Sequence, residues 1–196
     1  MIKTLTSEDG KLHFEFNTTR WSLVEAYDIL PDVQKFSDSK VDFIGLLDND
    51  KVFLIEVKNF RNRPQAASDN LVKKLQPDDQ SQYDPKNQPV IKEVVESVKD
   101  SLLFMALSPR YSVENIELWT QLQQLLTKPN TKVFTVFCLE TDAYYLPKVD
   151  AKKLVIYKGL MMKRLKASLN NLCTDVFIVD STNFSVLPAL HIHYII

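Results

Sequence analysis

Two apolar segments joined by a short polar turn most constrain what this chain can fold into. Residues 41–47 and 52–57 carry apolar side chains at both odd and even positions, and Asp48, Asn49 and Asp50 stand between the segments. Because successive side chains of a strand point to opposite faces, this pattern predicts strands that are covered on both sides. We therefore predict an antiparallel hairpin at the centre of a sheet.

The length of the turn decides which side chains of this hairpin face each other. A three-residue turn over 48–50 pairs residue 47 with residue 51 and places Asp42 directly opposite Glu56, with Lys58 on the same face. Opposed Cβ atoms lie about 4.5–5.5 Å apart, so the two carboxylates could share one divalent cation. A turn one residue shorter or longer would put them on opposite faces unless a bulge intervened.

The remaining pattern alternates strands and helices. A strand over 12–16 follows the turn residues Asp9 and Gly10 and predicts an N-terminal hairpin. Thr18 or Thr19 is predicted to cap a helix from Trp21 to Leu30 that stops at Pro31. Further helices are predicted over 90–107, 113–126 and 152–170, the last with a strand-like start, and further strands over 132–139, 176–179 and 191–196, of which the last two close the sheet.

These elements predict one α/β domain over residues 1–196, with a central mixed sheet flanked by helices and with C-terminal additions. The polar, proline-containing segment 61–89 is predicted to be a mobile insertion with a short helix near 71–75. A hydrophobic fraction of 45% is sufficient for a substantial core.

Charge and motif content narrow the function classes. The 24 Lys and Arg against 25 Asp and Glu give a net charge of −1, so nucleic-acid contact would need a local basic patch. Cys138 and Cys173 form no CxxC pair, and neither a signal peptide nor a membrane-spanning apolar run is evident, so we expect a soluble cytoplasmic protein. The absence of phosphate-binding glycine loops and of a GxSxG elbow argues against nucleotide-dependent and serine-hydrolase chemistry.

The tripeptide Glu56-Val57-Lys58, preceded by the strand that contains Asp42, resembles the signature of the PD-(D/E)xK nuclease superfamily. The resemblance runs from Trp21 to Phe60, with Val41 in place of the signature proline. It implies a restriction-endonuclease-like αβββαβ core and metal-dependent cleavage of phosphodiester bonds. DNA is the implied substrate, with RNA as the alternative, and a homodimer is an arrangement that many such nucleases use.

The resemblance also implies roles for individual residues. Asp42 and Glu56 would bind Mg²⁺, or Mn²⁺ as a substitute, and Val57 would add its backbone carbonyl. Lys58 would position or activate the attacking water. Glu25, on the first predicted helix, corresponds to an additional acidic ligand of many members. Asp28 competes for that role because it lies about one helical turn further on.

Basic residues near the signature and in the helical segment after residue 150 are candidates for contact with phosphates. Arg61 and Arg63 directly follow the proposed site, while Lys163, Arg164 and Lys166 belong to the most basic stretch of the chain. Lysine and arginine are the side chains that usually contact a nucleic-acid backbone. A solvated helix face is the alternative interpretation of the second group.

Two alternatives remain open at the level of sequence. Glu56 and Lys58 could form a structural ion pair in a catalytically inactive nuclease-fold module that binds nucleic acid or protein. His191 and His193 would lie on one face of a strand with a spacing that can bind zinc, but the sequence offers no third ligand nearby. For the histidine pair, a partly exposed terminal strand is the favoured interpretation.

Overall fold

The computed structural model describes residues 1–61, 89–112, 114–141 and 151–195, and within these ranges it contains eight strands and four α-helices. The strands are β1 (Ile2–Thr6), β2 (Leu12–Asn17), β3 (Trp21–Ala26), β4 (Phe43–Leu47), β5 (Lys51–Asn59), β6 (Lys132–Glu140), β7 (Asp175–Val179) and β8 (Leu190–Tyr194). The α-helices are α1 (Pro31–Phe36), α2 (Pro89–Leu107), α3 (Ile116–Leu126) and α4 (Ala151–Leu169). The predicted α/β class is confirmed.

The strands form two sheets rather than one. The central sheet has the order β3-β4-β5-β6-β7, antiparallel from β3 to β5 and parallel from β5 to β7. A second, antiparallel sheet has the order β1-β2-β8. The N-terminal hairpin is confirmed, but the prediction that residues 191–196 close the central sheet is wrong. The apolar residues Leu190 and Ile192 of β8 instead pack in the core between the sheets.

Both faces of the central hairpin are buried, as predicted. Phe43 and Ile55 point into a core shared with Phe14 of the second sheet. Ile44 and Leu54 point into the opposite core, which helices α2, α3 and α4 cover. The central sheet is therefore the middle of three layers, and a polar side chain on it is buried unless it lies near a strand end.

The predicted helix from Trp21 to Leu30 is wrong. Residues 21–26 form β3, and the helix α1 begins at Pro31, where the helix was expected to stop. Both errors have physical causes. A strand buried on both faces can place apolar residues at helical spacing, and proline is well suited to the first turn of a helix because no backbone donor is needed there.

The other predicted elements fare better. The helix over 90–107, the strand over 132–139 and the strand over 176–179 are observed within about one residue of their predicted limits. The last helix was predicted to have a strand-like start, but in the structure it is helical from Ala151 onward. Some predicted features lie outside the described residues. They are Val113, the proposed helix near 71–75 and nearly all of the segment 61–89. No helix in the described ranges combines the length and apolarity that crossing a bilayer requires.

Gly45 on β4 provides a test of the packing behind the hairpin. A Cβ atom at this position would lie 2.6 Å and 2.8 Å from two ring carbons of Trp21. That ring is confined by Phe16 and Phe53 at centroid distances of 5.1 Å and 5.0 Å. We expect Gly45→Ala to lower the free energy of unfolding by about 1–3 kcal/mol through overpacking, as measured by urea denaturation.

Gly159 in α4 is the matched control, since a Cβ there would meet nothing within 4 Å. Gly159→Ala should raise the free energy of unfolding by up to about 1 kcal/mol because alanine favours a helix. Equal effects of the two substitutions would contradict the crowding at Gly45.

Candidate metal centre at the open end of the hairpin

The register of the β4–β5 hairpin is the one that a three-residue turn predicts. Leu47 pairs with Lys51 and Phe43 pairs with Ile55. Asp48 and Asn49 adopt left-handed backbone conformations with φ of 51° and 62°, which short polar side chains tolerate. At the other end of the hairpin, this register brings Asp42 level with Glu56.

Asp42 lies immediately before β4 and is held in place by hydrogen bonds on two sides. Its Oδ2 accepts a hydrogen bond from the backbone N–H of Val57 at 2.5 Å. Its carbonyl oxygen accepts another from the N–H of Tyr27 at 2.8 Å. The Asp42 carboxylate is therefore fixed beside the Glu56–Val57 peptide of the neighbouring strand.

Glu56 is almost completely buried, with 2% of its surface exposed. Its Oε1 lies 2.9 Å from Nζ of Lys58, two residues along the same face of β5. Its Oε2 is buried and has no hydrogen-bond partner within the described residues. An unsatisfied buried carboxylate oxygen is costly, so this atom marks a position where a cation or water would be stabilising.

The electrostatics of the two acids follow from their burial. Burial raises the pKa of Glu56 to about 8, and the nearby Asp42 carboxylate adds to the rise. Burial likewise raises the pKa of Asp42 to about 6, against the effect of the Val57 hydrogen bond. For Lys58, burial lowers the pKa, but the Glu56 carboxylate more than offsets this and the net pKa is raised. Without a cation, the pair of acids therefore favours holding a proton.

The three residues line a cleft of about 470 Å³ whose walls are strongly acidic. Lys40 and Lys58 contribute the basic side chains of the lining, and its carboxylates come from Glu8, Asp28, Asp38, Asp42, Glu56 and Glu93. Glu8, Asp38 and Glu93 were not predicted. They reach the cleft from the β1–β2 turn, from the segment after α1 and from α2, so no local sequence pattern connects them to the signature.

The prediction that Glu25 is a helical metal ligand is not supported by its position. Glu25 lies on β3, an edge strand, and its Oε1 is 3.0 Å from Nζ of Lys3. It does not line the cleft, whereas the competing residue Asp28 does. Asp28 follows β3, and its N–H lies 3.5 Å from the carbonyl oxygen of Asp42. Of the two acids, Asp28 is the one positioned to act with Asp42.

The donor set at this end of the hairpin fits a hard divalent cation. Asp42 and Glu56 offer carboxylate oxygens, the type of ligand that Mg²⁺ prefers. Since the N–H and carbonyl of one residue point to the same side of a strand, the Val57 carbonyl faces the Asp42 side of β5. As the described side chains stand, no three His, Cys, Asp or Glu residues converge closely enough to hold an ion. Water molecules would complete the coordination, as is usual for Mg²⁺.

The predicted basic residues occupy different places. Arg61 follows β5, where its Nη1 lies 3.5 Å from Oε2 of Glu140 and its guanidinium stacks 4.1 Å from the ring centroid of Tyr194. Lys166 of α4 pairs with Asp175 at 2.7 Å, at the start of β7 and thus towards the end of the sheet opposite Glu56.

Lys163 and Arg164 lie on the same helix as Lys166, and none of these three residues lines the cleft. Arg63 lies outside the described residues. Among the described residues that were predicted to contact phosphate, Arg61 is the one that follows β5, the strand of Glu56 and Lys58.

Comparisons of the chain with protein-family models, with curated proteins and with solved structures find no match.

Proposed function

We propose that this protein is a metal-dependent nuclease that hydrolyses phosphodiester bonds, with DNA as the favoured substrate. The observation that carries the proposal is the buried Oε2 of Glu56, which has no partner in the described residues and lies on the strand beside Asp42. A buried carboxylate with one unsatisfied oxygen, a second carboxylate fixed next to it and a lysine on the same face together suit a cation-assisted hydrolysis.

The order of the strands supports the resemblance to a restriction-endonuclease-like core. Three antiparallel strands, β3 to β5, with α1 between the first two, are followed by the helices α2 and α3 and by β6, which is parallel to β5. Asp42 immediately precedes the second of these strands, and Glu56 and Lys58 lie near the end of the third. The helix that would precede the three strands in this core is replaced by β1 and β2.

Asp42, Glu56 and the Val57 carbonyl would hold Mg²⁺. When bound, the ion stabilises negative charge on the scissile phosphate and eases deprotonation of a water molecule near neutral pH. Lys58 donates from its ammonium group to hold that water or the phosphate oxygen in line. Glu56 in turn keeps the ammonium group in place through the 2.9 Å contact. Lys58 therefore acts as an orienting group whose charge also favours an anionic transition state.

The acidic cleft makes the cation essential to substrate binding as well. With six carboxylates and two lysines in its lining, the cleft by itself repels a polyanion. A divalent cation held by Asp42 and Glu56 would reduce this excess of negative charge. Binding of DNA at the cleft is therefore expected to depend on the metal.

The direct test measures Mn²⁺ binding and cleavage together. We expect the wild-type protein to bind Mn²⁺ and to cut supercoiled plasmid, branched DNA or single-stranded DNA. Asp42→Asn should weaken Mn²⁺ binding by about 10- to 100-fold, because one of two charged ligands is lost, and should stop cleavage. Electron paramagnetic resonance of free Mn²⁺ measures the affinity.

Asp50→Asn is a suitable control because Asp50 is an exposed turn residue that pairs with Lys51 at 3.2 Å, away from the cleft. This variant should bind Mn²⁺ and cleave DNA like the wild type. Unchanged Mn²⁺ affinity in Asp42→Asn would contradict the proposed ligand set.

A second candidate function is a catalytically inactive module of the same fold. The observation that favours it is the excess of carboxylates in the cleft, which complements a basic protein segment better than a nucleic acid. In such a module the Glu56–Lys58 contact is a structural ion pair. The absence of Mn²⁺ binding together with salt-sensitive binding of a lysine-rich peptide, weakened in Asp38→Asn, would favour this alternative.

A further inference from the structure

The outer face of the three-stranded sheet brings together the three histidines of the chain. His13 lies on β2, and His191 and His193 lie on β8. The antiparallel register places His13 directly opposite His193 and Glu15 directly opposite His191. The third imidazole that the C-terminal sequence lacks is thus supplied from the N-terminal hairpin.

The alternation of side chains turns this group outward. Phe14 and Ile192, the residues between the members of the group, are buried in the core between the two sheets. The side chains of His193 and Glu15 are 55% and 38% exposed. His191 is also exposed and His13 is half-buried, so an ion from solution can reach this face.

We infer that His13, His191 and His193 form a binding site for a transition-metal ion, with Zn²⁺ as the favoured ligand. Imidazole nitrogen is a borderline donor that suits Zn²⁺, and three protein ligands with one open position are a common zinc arrangement. Mg²⁺ prefers oxygen donors, so this site differs in selectivity from the one at Asp42 and Glu56.

Glu15 has a positioning role in this site. Its Oε2 lies 3.3 Å from Nε2 of His193. A carboxylate that accepts a hydrogen bond from one ring nitrogen fixes the ring orientation and leaves the other nitrogen for the metal. His193 would then bind the ion through Nδ1.

The backbone already sets the spacing that such a site needs. Directly opposed Cβ atoms in adjacent strands lie about 4.5–5.5 Å apart, and diagonal neighbours about 7–8 Å. The rings of His191 and His193 are now nearly parallel, with an interplanar angle of 19° and a centroid distance of 6.4 Å. As the described side chains stand, the three imidazoles do not converge on one point, and the His191 ring lies 5.8 Å from the Phe184 ring centroid. Convergence on one ion therefore requires rotation of these side chains, which takes picoseconds to nanoseconds for exposed residues, and no change of register.

A metal at this position would join parts of the chain that are far apart in sequence. His193 and Glu15 are separated by 178 positions. A clip that closes so long a loop removes many conformations from the unfolded chain and stabilises the folded one. A bound ion would therefore stabilise the pairing of β8 with β2.

The test uses tag-free protein carrying Asp42→Asn, so that the acidic cleft does not compete for the ion. We expect one equivalent of Co²⁺ to give the visible absorption of tetrahedral nitrogen coordination. Zn²⁺ should displace the Co²⁺ and raise the melting temperature. Adding His13→Gln or His193→Gln should weaken Zn²⁺ binding at least about tenfold and remove the rise in melting temperature.

Glu15→Gln, which retains an acceptor for His193, should weaken Zn²⁺ binding less than loss of an imidazole. If His13→Gln binds Zn²⁺ as tightly as its parent, β8 alone holds the ion and the three-histidine site is overturned. Lack of Co²⁺ absorption at one equivalent would also overturn it.

Discussion

Lys58→Ala is expected to reduce metal-dependent cleavage of DNA by about 10²- to 10⁴-fold, the usual contribution of a positioned proton-transfer or orienting group. Lys58 lies on the same face as Glu56, and its Nζ is 2.9 Å from Oε1 of Glu56. Removing the ammonium group takes away the side chain that orients water but leaves Asp42 and the Glu56 carboxylate in place. Mn²⁺ binding should therefore persist while the rate of cleavage falls.

The measurement is a time course of plasmid nicking at saturating Mn²⁺, accompanied by the Mn²⁺ affinity of each protein. Lys92→Ala is the matched control, since Lys92 is an exposed residue of α2 that pairs with Glu96 at 3.6 Å. Equal cleavage by wild type and Lys58→Ala would assign the activity to another site or to a contaminant. Loss of Mn²⁺ binding in Lys58→Ala would make the lysine structural rather than orienting.

Glu56→Gln is expected to stabilise the metal-free protein at alkaline pH, by about 2 kcal/mol or about 4–8 °C in melting temperature. Burial raises the pKa of Glu56 to about 8 from an ordinary value of 4.5. The folded protein therefore binds the proton more tightly than the unfolded chain. The stability that this contributes is fully present below about pH 4.5 and is lost as the pH rises through 8. Glutamine has no proton to lose, so the variant avoids this loss.

Ionisation of Asp42 also lowers the stability of the folded protein as the pH rises, because burial raises its pKa to about 6. Wild-type stability should thus decline across the interval from about pH 4 to pH 8, and Glu56→Gln should reduce the upper part of that decline. Chemical denaturation in the presence of a chelator, at about pH 5 and about pH 9, measures the effect. Glu96→Gln, a change on the exposed face of α2, is the control and should follow the wild-type pH dependence.

At alkaline pH, a saturating divalent cation should make the wild-type protein more stable than Glu56→Gln, the reverse of their order without metal. The cation binds only the carboxylate form of Glu56, so it should stabilise the wild type more than Glu56→Gln at alkaline pH. A wild-type protein whose stability is flat between about pH 5 and pH 9 would contradict the cost of burying the Glu56 charge.

The centre of the fold and of the candidate site could be predicted from sequence because both depend on local pattern. Apolar residues at both odd and even positions identify two strands that are buried on both faces. The polar residues at 48–50 set the pairing of Leu47 with Lys51. From that register, the proximity of Asp42, Glu56 and Lys58 follows by the alternation of side chains. None of these steps requires contacts between distant segments.

The errors arise where distant contacts decide the structure. Leu23 and Tyr27 of the predicted helix face the core beneath the helices, while Trp21 and Val24 face the core between the sheets. A strand covered on both sides thus reproduces apolar spacing that also suits a helix, and Glu25 was assigned to the wrong kind of element. The edge position of β3 then lets Glu25 pair with Lys3 instead of reaching the cleft.

The second sheet could not be predicted because its last strand comes from the far end of the chain. Leu12 pairs with Tyr194, and nothing within either segment specifies that partner. Only the packing of Phe14 and Ile192 in a shared core selects the pairing. The same long-range contact brings His13 to His193, which is why the sequence offered no third histidine for a zinc site.

The pair that closes the turn, Leu47 with Lys51, decides whether the two carboxylates share a face. Residues added within the exposed turn at 48–50 lengthen the loop and leave Asp42 opposite Glu56 as long as this closing pair is kept. A slip that pairs Leu47 with Val52 would instead place Asp42 and Glu56 on opposite sides of the sheet. The candidate metal centre therefore tolerates a longer turn but not a one-residue slip of the strands, although the closing pair lies at the other end of the hairpin.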